Sequence, residues 1–156
     1  SVFFNLELKR MDVALKPPMA RRAEHILVVE DEAEVRAVVV DQLKSLGYAV
    51  VDAADGTAGL STFGAMFPPF DLLLTDIVMP GPLNGKALAD EVVRRWPATK
   101  IVFMSGYTGG AVTQNGRLSD GTLLLNKPFR KADLARIVRQ ALDGAGGPSP
   151  SATPSP

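Results

Sequence analysis

The chain has 156 residues, which suits one domain with tails, and 46% of them are hydrophobic, enough for a core. Its 17 basic and 17 acidic residues cancel, so no bulk field points to nucleic acid or to a membrane surface. There is no cysteine and His25 is the only histidine, which excludes disulfides, thiolate metal sites, cysteine nucleophiles and multi-histidine metal sites.

The first nine residues, SVFFNLELK, alternate Val2, Phe4, Leu6 and Leu8 with Phe3, Asn5, Glu7 and Lys9, a strand period. Residues 10–23 form a basic, proline-interrupted linker. Between Glu24 and Asp143 the pattern becomes regular. HILVV reads as a strand; Val35, Val38, Val39, Leu43 and Leu46 then recur at helical spacing, and Gly47 marks the stop. YAVVDA is a second strand, and Leu60, Phe63 and Phe67 mark a second helix ended by Pro68-Pro69. FDLLLTD is the third strand, followed by a helix through Leu88, Val92 and Trp96 that Pro97 stops. KIVFMS is the fourth strand. The glycine-rich stretch from Gly106 to Gly121 has little periodicity and predicts a short or irregular helix. TLLLN is the fifth strand, and Leu134, Ile137, Val138, Ala141 and Leu142 give the cleanest helix. Residues 144–156 are Gly, Pro, Ser, Ala and Thr only and are expected to be disordered.

Strand and helix thus alternate five times, and the strands are continuous apolar runs. That is the look of parallel strands covered on both faces by helices. Right-handed crossovers would build an open, doubly wound α/β sheet. No apolar run approaches the ~20 residues that span a bilayer, and no basic start leads into a signal-peptide core. The chain therefore reads as cytoplasmic, and its first residue, Ser1, as that of a fragment or processed product.

In such sheets ligands bind at the carboxyl ends of the strands. Glu30, Asp31 and Glu32 follow the first strand, Asp52 and Asp55 lie at or after the end of the second, and Asp76 ends the third. Ser105 ends the fourth, and Asn126-Lys127 the fifth. Singly, each has a plain reading as a helix cap, a turn residue or a surface charge. Jointly, two or three carboxylates suit Mg²⁺, a hard cation that takes oxygen ligands. One carboxylate can act as nucleophile toward a phosphoryl group, with an ammonium beside the moving oxygens.

These residues resemble the receiver domains of two-component response regulators. ILVVEDE resembles the family's first-strand acidic pair, DLLLTDIVMPGPLNG its phosphoacceptor strand and Met-Pro loop, IVFMSGY its fourth strand, and LLNKPF its Lys-Pro strand. The resemblance covers 24–143 and implies a flavodoxin-like (βα)5 fold with a parallel five-stranded sheet in the order 2-1-3-4-5. It implies that Asp76 accepts phosphate from a histidine kinase or histidine phosphotransfer domain, in cis or trans. Glu30, Asp31, Asp76 and the backbone carbonyl of Val78 match the Mg²⁺ site, with Asp31 the more direct ligand of the acidic pair. Ser105 matches the hydroxyl that moves toward the phosphoryl group, Lys127 matches the family's cation, and the bond before Pro128 is expected to be cis.

Two departures matter. The family usually carries Phe or Tyr three residues before the lysine; here that residue is Leu124. The other is the glycine-rich fourth segment, on a face through which the family commonly signals or dimerises, so a weak homodimer stays open. Val78 and Tyr107 occupy positions that influence phosphate lifetime in the family, and an apolar and a bulky residue there are expected to lengthen it. Two competing readings remain. One is an aspartyl-nucleophile phosphatase, which would want an acid where Val78 stands. The other is a non-phosphorylated interaction module, for which Leu124 speaks. SVFFNLELK resembles the last strand of a sensor-kinase ATPase domain, so the expected parent is a hybrid histidine kinase. The chain itself lacks ATP-binding glycine boxes and is expected not to be a stand-alone enzyme beyond self-phosphorylation and self-dephosphorylation.

Overall fold

The computed structural model describes residues 17–20, 23–106, 112–113, 117–118 and 121–145. The expected remnant strand, most of the linker, Tyr107 and all but the start of the tail lie outside them.

The elements are β1 (His25–Val29), α1 (Ala33–Ser45), β2 (Ala49–Ala53), α2 (Gly56–Gly64), β3 (Leu72–Asp76), α3 (Gly85–Arg95), β4 (Lys100–Ser105), β5 (Val112–Thr113), β6 (Arg117–Leu118), β7 (Leu123–Asn126) and α4 (Lys131–Gln140). Strands β2, β1, β3, β4 and β7 lie side by side in that order, all parallel. This is the expected 2-1-3-4-5 sheet.

Side chains alternate across a strand, so each apolar run feeds two cores. Ile26, Val28, Leu72, Leu74, Val102 and Met104 meet Val39 and Leu43 of α1 and Leu134 and Val138 of α4. Leu27, Val29, Leu73, Ile101 and Phe103 meet Phe63 of α2 and Leu88 and Val92 of α3. Strand β3 is buried at all five positions, which is why its sequence shows no polar alternation. Strand β2 is the exception: among the described residues it pairs only with β1, and Val51 is exposed.

Helix ends follow local chemistry. The Asp55 carboxylate accepts from the Ala58 N–H at 2.8 Å, and the Asn84 amide oxygen accepts from the Ala87 N–H at 2.9 Å. After α1 the chain turns at Gly47, whose φ of +97° suits glycine. There the linker's end docks: the Ala20 N–H donates to the Leu46 carbonyl at 2.9 Å, and a Cβ on Gly47 would lie 3.4 Å from that of Ala20.

Two elements differ from expectation. Helix α2 ends at Gly64, well before the prolines, and Phe67 is 94% exposed rather than part of a helical face. A residue preceding proline is pushed out of the α region, and Phe67 directly precedes Pro68. Within 106–121, where an irregular helix is expected, the described residues include β5 and β6, an antiparallel pair that extends the sheet to seven strands beyond β7. Two-residue strands carry too little sequence to show a period.

At the amino ends of the strands sits a buried charge cluster. Arg139 donates to both Glu24 oxygens at 2.9 Å and to the Asp143 Oδ1, and reaches the Tyr48 hydroxyl and the Met19 carbonyl at 3.4 Å. Burial pushes the Tyr48 hydroxyl pKa up. Among the described residues no helix is long and apolar enough to cross a membrane.

Candidate functional site

The carboxyl ends of β1, β3, β4 and β7 converge. Asp76 is the last residue of β3, held in register opposite Met104 of β4. The ladder runs one residue further, the Ile77 N–H donating to the Met104 carbonyl at 3.0 Å. Thr75, fully buried, donates its hydroxyl to the Asp76 carbonyl at 3.0 Å. The chain then leaves the sheet through the exposed Val78, while Met79 turns back into the core beneath α2 and α3. That combination leaves the Asp76 side chain at the rim, 12% exposed, with its backbone fixed.

The start of α3 comes unusually close. The Gly85 N–H donates to the Ile77 carbonyl at 2.9 Å, and a Cβ on Gly85 would fall 1.8 Å from the Asp76 carbonyl oxygen. Only glycine fits there.

Three carboxylates gather at the rim. Glu30, Asp31 and Asp76 each offer an oxygen, and these oxygens lie within 4.8 Å of one another. Lys127 stands against two of them, its Nζ 2.6 Å from Glu30 Oε1 and 3.2 Å from Asp76 Oδ2. The Lys127 N–H, bonded to the Ser105 carbonyl at 2.8 Å, fixes the lysine's backbone beside β4. The Lys127–Pro128 bond is cis. Ser105 is buried at the end of β4, opposite Asn126.

Burial is the largest influence on Glu30 and pushes its carboxyl up, against the Lys127 hydrogen bond and the Glu32 amide, which pull it down. Burial pulls the Lys127 ammonium down, but the hydrogen bond from Lys127 to Glu30 and the charge of Asp76 outweigh it, and the net shift is upward. Lys127 is thus held as a cation. Three carboxylates against one ammonium leave two formal negative charges, which one divalent cation would offset. An all-oxygen donor set at the rim suits a hard ion such as Mg²⁺.

The remaining acids have other work. Asp55 caps α2, and Asp52 pairs with Arg36 at 2.9 Å. Arg36, Asp52's role and Gly85 escaped sequence reasoning. Nothing in a helix's first turn distinguishes an arginine that faces a strand end, and Gly85 is one of two glycines, with Gly81, in the loop before α3 and its first residue. Leu124 is buried opposite Phe103, in the core beneath α2 and α3.

The description "Response regulator receiver domain" fits residues 26–139. This chain belongs to the response regulator receiver family. It is 33% identical over 147 residues to the sensor kinase CckA of Brucella abortus (strain 2308), a match covering 88% of this chain and 15% of that protein. It is 32% identical to the receiver protein CpdR of the same organism, over 78% of this chain and 99% of CpdR. Among solved structures, the receiver domain of the hybrid histidine kinase CckA superposes with a TM-score of 0.64 at 34% identity, covering 76% of this chain and 98% of that one. The chain is therefore a receiver domain of two-component signalling, a class that works with histidine kinase or phosphotransfer partners.

Proposed function

We propose that this receiver accepts a phosphoryl group on Asp76 from a phosphohistidine. What carries the reading is the position of Lys127, whose ammonium touches both Asp76 and Glu30 while Asp31 lies beside them. A carboxylate oxygen of Asp76 attacks phosphorus, the P–N bond breaks, and the donor imidazole leaves with the electron pair. Lys127 offsets charge on the phosphoryl oxygens. Ser105, at the end of the neighbouring strand, would donate its hydroxyl to the bound group. Asp31, Asp76 and the Val78 carbonyl would hold Mg²⁺, which supplies positive charge to the transferring oxygens. Val78, 73% exposed, puts an apolar side chain at the rim, and we assign a long phosphoryl lifetime to it.

The test is incubation with Mg²⁺ and acetyl phosphate, followed by intact mass. Wild type should gain one phosphoryl group; Asp76→Asn and excess EDTA should abolish the gain. No gain in wild type that binds Mg²⁺, even with a phosphorylated histidine phosphotransfer domain as donor, would overturn the reading. Leu124 favours a second one, an interaction module of the same fold that works without phosphate, because the usual aromatic relay from Ser105 is missing its ring. For the parent protein we favour a hybrid sensor kinase, on the likeness to the sensor kinase CckA.

A further inference from the structure

Glu30 is fully buried, and each of its polar groups has a partner. Its N–H donates to the Ala53 carbonyl at 3.2 Å. Its Oε1 accepts from Lys127 at 2.6 Å and its Oε2 from the Glu32 N–H at 3.1 Å. Its carbonyl accepts from Arg36 Nη1 at 2.7 Å. With both oxygens occupied, Glu30 serves better as a fixed pivot for the loop than as a ligand. The neighbour it aims is Asp31, the exposed carboxylate of the cluster.

Arg36 completes this pivot from outside. It lies in α1, yet its guanidinium spans two strand ends, joining the Glu30 carbonyl to Asp52 of β2, where Nε meets Oδ2 at 2.9 Å. The guanidinium is planar and rigid, so two bonds at once fix its orientation. A peptide carbonyl held in one direction fixes the plane of the following peptide, here the Glu30–Asp31 link. The geometry points to Arg36 as a positioning residue that, braced by Asp52, aims Asp31 at the cation site. This rests on the cation reading given above.

The sign of one effect separates positioning from plain electrostatics. Arg36 is a positive charge close to a site for a positive ion. Removing that charge alone would tighten Mg²⁺ binding. Loss of positioning would weaken it, and partners behind a metal ligand are typically worth about 10–100-fold in affinity.

The experiment is Mg²⁺ titration of the full chain by calorimetry, with amide hydrogen exchange at Glu32 read in metal-free buffer. Thermal melts show which variants fold. Arg36→Gln should bind Mg²⁺ about tenfold more weakly and exchange the Glu32 amide faster, with the β1 amides unchanged. Arg36→Lys, which can reach only one of the two partners, should fall between. Asp52→Asn should weaken binding more in wild type than in Arg36→Gln, since the part beyond its own lost charge acts through the guanidinium. Unchanged or tighter Mg²⁺ binding in Arg36→Gln would overturn the role of Arg36 alone. A wild-type chain that binds no Mg²⁺ would overturn the cation reading and this role with it. Should Arg36→Gln fail to fold, Arg36→Lys decides by the same titration, since it keeps the charge and gives up one of the two bonds: weaker binding supports the positioning role and unchanged binding overturns it.

Discussion

The two ends of the sheet each set carboxylates against one cation, in different proportions. At the amino end, Arg139 faces two carboxylates, Glu24 and Asp143, and binds Glu24 through both nitrogens of its fork. Glu24 and Arg139 are both more than nine-tenths buried. At the carboxyl end, Lys127 faces Glu30 and Asp76 with Asp31 close by, one acid more, and Asp31 is exposed. Buried ion pairs are therefore not the mark of the functional site. Each end keeps an exposed carboxylate, Asp143 or Asp31; what sets the carboxyl end apart is a third acid, with three carboxylate oxygens within 4.8 Å of one another.

The largest break in this comparison comes from Arg139→Met. It strands the Glu24 carboxylate in the interior and should cost about 3–5 kcal/mol in urea unfolding. Mg²⁺ should not restore it. Glu24→Gln together with Arg139→Met should cost less than the two single changes summed, because the stranded charge is gone. At the open end the ion itself is the lever. Mg²⁺ at a hundredfold excess over its Kd should stabilise wild type by about 2.7 kcal/mol, read as a raised Tm, and Asp31→Asn should lose most of that gain.

Next in size is Gly85→Ala. Its Cβ cannot coexist with the Asp76 carbonyl, so the start of α3 must shift. We expect a loss of about 1–3 kcal/mol and slower acetyl phosphate labelling of Asp76. Equal labelling rates would show that the close approach serves packing alone.

The smallest effect is at alkaline pH. Tyr48 has a raised pKa in the fold, with burial as the main cause. The unfolded chain therefore releases this proton first, near the ordinary tyrosine value of about 10. Tyr48's contribution is complete below that value and is lost as pH rises through the folded pKa. Tyr48→Phe should flatten the alkaline limb of the stability curve and leave Mg²⁺ binding unchanged.

Much of the open end was legible in the sequence, because the fold collects strand ends and the residues after each strand can be read directly. Asp76 announced itself as a charge ending an apolar run, and the continuous apolar strands called for a parallel sheet covered on both faces, while the strand order came from the family resemblance. The closed end was not legible. Glu24 and Arg139 are 115 positions apart, and nothing local in either stretch calls for the other. Arg36 was hidden for a related reason: its partners are a backbone carbonyl, which every residue has, and an aspartate already accounted for as a strand terminator. The pair β5 and β6 lies in a segment too short in period and too rich in glycine to show strands.

The docking of Ala20 against Leu46 and Gly47 has a mechanical consequence. It fastens the incoming chain at the pole where the strands begin. Asp76 lies at the other pole, five strand residues away at about 3.3 Å each. A polypeptide joined ahead of Pro17 is thus leashed on the far side of the module. On the proposed function, a phosphodonor carried on that leash would have to swing around the full height of the sheet to meet Asp76, or reach across from a neighbouring molecule.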